Sequence, residues 1–414
     1  MMAPEASAQP LEGNWPESIR RLRFILWVLL VLGTVAFLVG ALGASPLRAW
    51  QTYLINFLFW SGIAQAGLVF SATYRLANAN WGETVRRLGE GMAGFLPLSF
   101  VLFLLLFFGR SYLFPWIAHP AHGKESWLSF PFLFARNGIG LIILYAVSFT
   151  YLYYSMRPNV GDNLEGRAAP ACKLHQFLIR GWQGSARERV RSDRVLTPWA
   201  VALILSYVAI FSLRAFDLVM SLDPTWYSTL FGAYFFMGNF FVGLAFLAIT
   251  AIFVRKSWNL ESQITSRNLA DLGKLMLAFG MVTGDFFFSQ FLVIWYGNLP
   301  EEIGFVIHRT KDMPWATLSW IVLFAGYLGP VVILFSRTVK ERPRSFLVVS
   351  LLVLFVMWLE RYLLIVPSLW QEKSLPLGWI EILVTAGFFG AMGLSILGFW
   401  RRFPLFFFSA GPKH

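Results

Sequence analysis

The chain has 414 residues, of which 57% are hydrophobic, 18% are aromatic and only 14% are charged, and its formal net charge is +12. Water-soluble domains are nearer half apolar and a quarter charged, so this composition excludes a soluble globular protein and indicates an integral membrane protein. The positive charge would also suit a nucleic-acid-binding protein, but its distribution along the chain favours a signal for membrane topology.

Apolar runs long enough to cross a bilayer recur along the chain, since a hydrocarbon core about 30 Å thick requires roughly 20 apolar residues per helix. In chain order, the charge-free runs are 24–47, 49–74, 91–109, 137–156, 195–213, 224–254, 313–336 and 382–400. Two further runs contain isolated charges: 275–300 includes Asp285, and 345–371 includes Glu360 and Arg361. We therefore predict about ten transmembrane helices, with a loop inside the long run 224–254. The first run is too long for a signal peptide and is expected to be a retained span.

Lysine and arginine residues fall unequally on the two sides when these spans alternate across the membrane. Twenty-four lie in the two termini and in the loops that follow even-numbered spans, six lie on the other side, and four lie within or at the edges of spans. This asymmetry follows the positive-inside rule and predicts a multi-pass membrane protein with both termini in the cytoplasm. The basic segment 157–196 is predicted to be a solvated or membrane-surface loop, with attraction to anionic lipids as a further expectation.

Histidine and cysteine usage limits the redox chemistry that the chain can perform alone. All five histidines fall in predicted loops or at the C-terminus, whereas a haem held between helices needs axial histidines inside the spans. The single cysteine, Cys172, excludes a c-type haem attachment motif, a four-cysteine iron–sulfur cluster and an internal disulfide. We therefore expect no metal and no covalently bound cofactor, and electrons would have to pass to a quinone or a partner protein.

Ionisable residues inside the predicted spans are the candidate functional groups, because a charge at a helix centre costs a few kcal/mol. They are Glu83, Glu90, Asp271, Lys274 and Asp285 from the cytoplasmic side inwards, and Arg214, Asp217, Glu360, Arg361 and Glu381 towards the outer side. A ladder of acids suits a proton path. The i,i+3 pairs Asp271–Lys274 and Arg214–Asp217 would equally suit local ion pairs that stabilise the bundle.

Asp285 differs from these pairs in its spacing. It lies close to four full turns after Asp271, so both acids are predicted to share nearly the same helix face. Asp285 has no charged neighbour at helical spacing. This pattern favours a proton-linked or interhelical hydrogen-bonding role.

A short pattern, Leu-Gly-x-x-Met-x-x-Phe, occurs at residues 88–95 and again at 272–279, at the start of predicted helices 3 and 7. The even offset predicts a parallel repeat, with helices 2–5 and 6–9 as two four-helix bundles and helices 1 and 10 flanking them. The predicted divisions are a cytoplasmic segment 1–21, helix 1 within 22–46, the first bundle 47–218, the second bundle 219–371, helix 10 within 372–402, and a cytoplasmic tail 403–414.

Two longer motifs carry a family resemblance. Residues 216–232 read Phe-Asp-Leu-Val-Met-Ser-Leu-Asp-Pro-Thr-Trp-Tyr-Ser-Thr-Leu-Phe-Gly, and residues 294–302 read Ile-Trp-Tyr-Gly-Asn-Leu-Pro-Glu-Glu after the Asp-Leu-Gly-Lys-Leu of 271–275. Segments 53–59, 86–97 and 361–369 add to the match. Together they resemble the second NrfD-like, quinone-binding-type membrane component of bacterial alternative complex III, within the NrfD/polysulfide-reductase membrane-anchor family.

The resemblance implies ten helices in the bacterial inner membrane and a complex that oxidises quinol and passes electrons to a cytochrome c or a cupredoxin. The implied partners are a second NrfD-like quinol-binding subunit, a periplasmic iron–sulfur subunit, multihaem and monohaem cytochrome c subunits, small membrane subunits and lipids. Quinone, menaquinone or lipid would lie nearby. This sequence departs from the family pattern, because Ala270 and Gly326-Tyr327 stand where histidines are common and Glu360 stands where the family has Asp. A quinol proton would then have to reach a carboxylate or water.

We therefore predict a membrane subunit of a quinol:electron-acceptor oxidoreductase that is not catalytic in isolation and that supplies a proton path. The proton-path candidates are Asp285, Asp271, Lys274, Glu90, Asp217, Arg214, Glu360 and Arg361. The candidates for docking periplasmic partners are Asp223, Trp226, Glu301 and Glu302. A purely structural anchor is the alternative, and a secondary transporter is disfavoured because no Gly/Pro-broken helices occupy matching positions.

Overall fold

The computed structural model describes residues 15–43, 45–120, 123–164 and 173–403, and this part of the chain is helical without strands. Ten helices are long and apolar enough to cross a membrane, which confirms the predicted all-helical fold. They are α1 (Glu17–Leu42), α2 (Pro46–Leu76), α3 (Glu83–Leu113), α4 (Phe130–Asp162), α5 (Ser185–Leu222), α6 (Phe231–Ser257), α7 (Ser266–Gly297), α8 (Trp315–Phe335), α9 (Pro343–Leu369) and α10 (Trp379–Arg402).

Short helices connect some of the spans, at Lys173–Leu178, Pro300–Thr310 and Arg337–Glu341. The second of these, between α7 and α8, is named the α7–α8 helix below. Because successive spans run in opposite directions, residues 15 and 403 lie on the same side of the molecule. We name this the termini side and the other the opposite side. The loop predicted within 224–254 is present, since α6 begins only at Phe231.

The helix α2 lies at the centre of the molecule, in contact with α3, α5, α6, α9 and α10. Its apolar window is completely buried, although it carries polar side chains along its length. Hydrogen bonds to other helices satisfy several of them, because water is absent at this depth. Gln65 Nε2 donates to Ser148 Oγ at 2.9 Å, and Asn56 Nδ2 donates to Thr385 Oγ1 at 2.9 Å.

Glycines set the closest helix contacts. The flanking helices α1 and α10 pack along each other, and a Cβ at Gly33 would overlap the Cα of Gly387. The two bundles meet where α2 crosses α6, and a Cβ at Gly62 would overlap the side chain of Asn239. Small residues at such positions let helix backbones approach closely inside a membrane.

The predicted basic loop 157–196 is too long at both ends. The helix that contains α4 continues to Leu164, and α5 already begins at Ser185. Arg157 forms a two-point ion pair with the buried Glu188, at 2.7 and 3.0 Å. These helices therefore extend beyond the apolar runs because charged residues pair between them, which hydropathy does not register. Residues 165–172, including Cys172, lie outside the described residues.

Two spans contain non-α turns in their interior. The helix α3 includes 3-10 turns at Met92–Phe95 and Leu106–Gly109, and α8 includes a π-helical turn at Val322–Leu328. The π turn precedes Pro330, which has no N–H to donate to the carbonyl four residues earlier. The two altered helices do not occupy matching positions in the two bundles.

Candidate functional site

The first group of buried polar side chains surrounds Glu90, towards the termini side of the first bundle. Glu90 on α3 is fully buried, and its Oε1 accepts hydrogen bonds from Ser71 Oγ (2.5 Å) on α2 and Ser155 Oγ (2.7 Å) on α4. Arg86 pairs with the same oxygen, and the Tyr151 hydroxyl lies 2.9 Å from Ser71 Oγ. We name these five residues the Glu90 cluster. Glu90 Oε2 has no hydrogen-bond partner among the described residues, so it can accept a proton or a water.

The Glu90 cluster is linked to the termini-side surface through Glu83. Arg86 Nη2 donates to Glu83 Oε1 at 2.7 Å, and the Glu83 side chain is 46% exposed. One arginine therefore joins an exposed carboxylate to a buried carboxylate seven residues further along α3. This arrangement provides a short polar connection between solvent and the interior of the bundle.

Two other predicted acids have both carboxylate oxygens in ion pairs. Asp217, fully buried near the end of α5, accepts from Arg136 Nε (2.7 Å) and Nη2 (2.5 Å) and from Asn137 Nδ2 (2.6 Å). Glu381 on α10 accepts from Arg48 Nε (3.0 Å) and Nη2 (2.8 Å). Such two-point pairs fix helices relative to each other and leave the carboxylates no free oxygen among these contacts.

The predicted ion pair between Arg214 and Asp217 is therefore wrong. Arg214 is fully buried and turns towards α2, where its Nη2 donates to Ser61 Oγ at 2.9 Å. Its guanidinium lies over the rings of Phe57 and Phe211, 4.9 and 4.8 Å from their centroids. Its Nε and Nη1 have no hydrogen-bond partner in the described part of the chain. The i,i+3 spacing did not decide the pairing, because Arg136 on a neighbouring helix reaches Asp217 with better geometry.

The second group of buried polar side chains surrounds Glu360, towards the opposite side of the second bundle. Glu360 on α9 is buried and accepts a hydrogen bond from the Tyr234 hydroxyl on α6. The Tyr234 oxygen lies 2.9 Å from the hydroxyl of Tyr327 on α8, and Arg361 Nη1 pairs with Glu360 Oε2 at 2.6 Å. We name these four residues the Glu360 cluster. Tyr327 thus places a hydroxyl at a position where the resemblance led us to look for a histidine.

A cavity adjoins the Glu360 cluster between α6, α7, α8, α9 and the α7–α8 helix. Its polar lining includes Glu360, Tyr234, Gln290 and Ser319, and its aromatic lining includes Trp226, Phe231, Phe287, Phe291 and Phe305. Apolar walls with a few polar groups at one end are typical of small-molecule sites in proteins. A flat ring carrying oxygen substituents would meet aromatic faces and a carboxylate in this space.

Arg309 on the α7–α8 helix also lines the cavity. The sequence pattern does not single it out, because it lies between two apolar runs. Its guanidinium donates to the carbonyls of Leu363 (3.0 Å) and Leu364 (3.1 Å) and to Ser368 Oγ (2.7 Å). Pro367 has no N–H, so the Leu363 carbonyl lacks its helical partner and accepts from Arg309 instead. Burial lowers the pKa of Arg309 to about 9, which leaves it cationic at neutral pH. The sequence signal for this contact is the proline late in α9, because it leaves a carbonyl that needs another donor.

The remaining proton-path candidates lie apart from both clusters. Asp271 and Lys274 form the local ion pair that their spacing predicts, at 2.7 Å near the start of α7. Asp285 is exposed on the outer face of α7 and forms no hydrogen bond or ion pair with the described residues. The candidate acids are thus distributed over separate groups in different bundles. Groups of His, Cys, Asp and Glu able to hold a metal ion are absent from the described part.

Among the docking candidates, the assignment of Trp226 is wrong. Its side chain is only 4% exposed and stacks on Phe305, with centroids 3.9 Å apart, because the loop before α6 folds over the cavity. Asp223 is partly exposed and accepts a hydrogen bond from Thr225 at 2.6 Å. Glu302 is partly exposed on the α7–α8 helix, and the side chain of Glu301 lies outside what the structure describes.

Comparison with known proteins adds one finding. A family model described as "Polysulphide reductase, NrfD" matches residues 40–371 of the chain. This range includes α2 to α9, and therefore both the Glu90 cluster and the Glu360 cluster. No curated protein matches the chain significantly.

Proposed function

The chain belongs to the NrfD polysulphide reductase family, whose members are membrane subunits of quinone-interacting redox complexes, and we propose that it serves a quinol:electron-acceptor oxidoreductase of the alternative complex III type. Family members act with redox subunits such as iron–sulfur proteins. In this proposal, the electrons pass to iron–sulfur and cytochrome c subunits on the periplasmic side. The chain itself supplies protonatable groups for quinol oxidation.

The Glu360 cluster and its cavity carry this proposal. Quinol oxidation requires that the hydroxyl protons leave as the electrons do, and a buried carboxylate within hydrogen-bond reach is a suitable acceptor. Glu360 lies at the cavity wall, with Tyr234 and Tyr327 as hydroxyl partners and Arg361 as the compensating charge. In this proposal the aromatic walls would face the ring of a quinone or menaquinone. No histidine lines the cavity, so Glu360 takes the role of the proton acceptor.

The Glu90 cluster would serve proton transfer at the cytoplasmic side. The chain of Glu83, Arg86 and Glu90 leads from the surface into the first bundle, and Glu90 retains one free carboxylate oxygen among the described residues. The two clusters lie in different bundles and towards different sides. We therefore propose two separate half-paths in place of the single ladder suggested by the sequence.

The exposed position of Asp285 on α7 is the observation from which we infer that another subunit packs against this helix. An unpaired carboxylate facing lipid costs a few kcal/mol or must remain protonated. Its neighbours on this helix, such as Phe288 and Val293, are also exposed, with exposed fractions of 58% and 70%. We propose that another membrane subunit, the second NrfD-like subunit of the complex, packs here and presents a hydrogen-bond donor to Asp285.

The test is to replace Glu360 with Gln in the intact complex and to measure quinol oxidation together with complex assembly. Since general acid–base groups contribute on the order of a hundredfold to rates, we expect turnover to fall by at least about tenfold while the complex still assembles. Glu341→Gln, a partly exposed acid in a local ion pair on the termini side, is the matched control and should keep the wild-type rate.

A purely structural anchor is the competing function, and a specific observation favours it. Asp217 and Glu381 are held in two-point ion pairs with arginines from other helices, which is a bracing arrangement. A structural anchor predicts that Glu360→Gln and Glu90→Gln both assemble and turn over like the wild type. That result would contradict the proton-transfer proposal.

A further inference from the structure

A cavity on the termini side, between α1 and α10, is rich in arginine and tryptophan. It is lined by Trp15, Arg20, Arg23, Trp27, Leu394, Leu397, Gly398 and Arg401. Arg20, Arg23 and Trp27 are spaced by three and four residues, so they share one face of α1. The packing of α1 along α10 brings Arg401 to the same space.

The three arginines of this cavity make no ion pair with any residue in the part of the chain described by the structure. The nearby acid Glu17 is already paired with Arg21, at 2.5 Å, and Arg21 does not line the cavity. Exposed arginines at the ends of spans are expected from membrane topology alone. Topology does not require that three of them line one cavity and that all three lack a carboxylate.

An apolar groove adjoins this cavity and extends into the membrane. It runs between α1, α3, α4, α10 and the short helix Lys173–Leu178, and most of its lining is apolar, including Leu30, Pro97, Phe149 and Leu152. Trp27, Leu394 and Gly398 line both spaces, so the cavity and the groove adjoin each other. A Cβ at Gly398 would meet no atom within 4 Å, which shows that the junction is open.

We propose that the cavity and the groove together bind an anionic phospholipid, with its phosphate at Arg20, Arg23 and Arg401 and an acyl chain in the groove. The arginines supply charge complementarity and forked donors for phosphate oxygens. The groove supplies an apolar wall at the depth where an acyl chain begins. A soluble phosphate would use only the first feature, so the groove identifies the ligand as a lipid.

The experiment uses the full-length protein, purified with its partners in mild detergent from membranes that contain phosphatidylglycerol and cardiolipin. Bound lipid is measured by mass spectrometry in the wild type, in the triple variant Arg20→Gln/Arg23→Gln/Arg401→Gln and in Gly398→Leu. Each arginine near an anionic headgroup changes affinity by roughly fivefold. We therefore expect the triple variant to lose most of the bound anionic lipid, and Gly398→Leu to lose it because its side chain fills the junction.

The matched control is Arg344→Gln, which removes an exposed arginine at the termini-side end of α9 and does not alter the cavity. It should retain wild-type lipid content. Phosphatidylglycerol added to delipidated protein should raise its melting temperature, whereas phosphatidylcholine and inorganic phosphate should not. Equal anionic lipid in the wild type, the triple variant and Gly398→Leu would overturn the proposal, as would equal stabilisation by phosphatidylcholine or by phosphate alone.

Discussion

Buried and nearly buried arginines in this protein differ in how their charge is compensated. Arg136 and Arg361 each face a buried carboxylate, at 2.5 and 2.6 Å. Arg214 faces Ser61 and two aromatic rings, and it forms no ion pair with any residue in the described part. Desolvation costs are large for each of these charges, and a short ion pair offsets much of the cost. Substitutions at these arginines should therefore change stability in opposite directions.

The residue-scale prediction compares Arg361→Met with Arg214→Met. Removing Arg361 leaves Glu360 buried without its cation, so we expect a loss of about 3–5 kcal/mol in stability. Removing Arg214 leaves no acid without a partner and takes away a buried charge. The melting temperature of Arg214→Met should therefore equal or exceed that of the wild type. Thermal unfolding of the two purified variants in the same detergent measures the difference. A comparable loss of stability in both variants would contradict this account of Arg214.

At the scale of single helices, α2 and α7 differ most in how far the rest of the chain buries them. The helix α2 is buried all round and uses interhelical hydrogen bonds to satisfy its polar residues. The apolar window of α7 is only 17% buried, and Asp285 lies on its exposed face. A helix this poorly covered by its own chain presents most of its surface to lipid or to another subunit. The carboxylate favours another subunit, because lipid offers it no partner.

The element-scale prediction concerns assembly at α7. Replacing Asp285 with Leu removes the group that a partner helix would bind, so less of the second membrane subunit should co-migrate on native gels. Asp285→Asn keeps a hydrogen-bonding side chain and should preserve more of the assembly. Lys274→Gln, on the same helix but in an exposed local ion pair, is the control. Full assembly of Asp285→Leu with wild-type stoichiometry would argue against a partner at this face.

At the scale of the whole molecule, the two bundles hold their buried polar clusters towards different sides. The Glu90 cluster lies a few turns into the first bundle from the termini side, and the Glu360 cluster lies closer to the opposite side in the second bundle. The two bundles meet tightly where α2 crosses α6. The lipid cavity lies on the termini side with the arginines of α1 and α10. The function of each group therefore depends on which side faces the cytoplasm.

The whole-molecule prediction concerns the orientation of the protein in the membrane. The asymmetry of lysine and arginine predicts that the termini side faces the cytoplasm. In a Cys172→Ser background, Arg187→Cys should react with membrane-impermeant thiol reagents only after the cells are opened. Thr225→Cys should react in intact spheroplasts. Both positions are exposed in the structure, so accessibility to the reagent reports the membrane side alone. The reverse pattern would invert the assignment of both half-paths.

The sequence by itself determined the ten spans and their charge asymmetry, because partitioning into a bilayer depends mainly on the composition of each local segment. Spacing within one helix also predicted the Asp271–Lys274 pair, since residues three apart are neighbours on any helix. It could not predict that Asp217 pairs with Arg136, 81 residues earlier, or that Arg214 turns towards α2 instead. These outcomes depend on contacts between different helices.

Tertiary structure likewise decided which groups are accessible. Trp226 is buried against Phe305, Arg309 is drawn inwards by the carbonyl that Pro367 leaves free, and Asp285 faces outwards. Each of these positions follows from how whole helices pack, which a local pattern does not specify. The acids that the sequence placed in one ladder therefore fall into ion-paired braces, the separate Glu90 and Glu360 clusters, and one carboxylate that is exposed on α7.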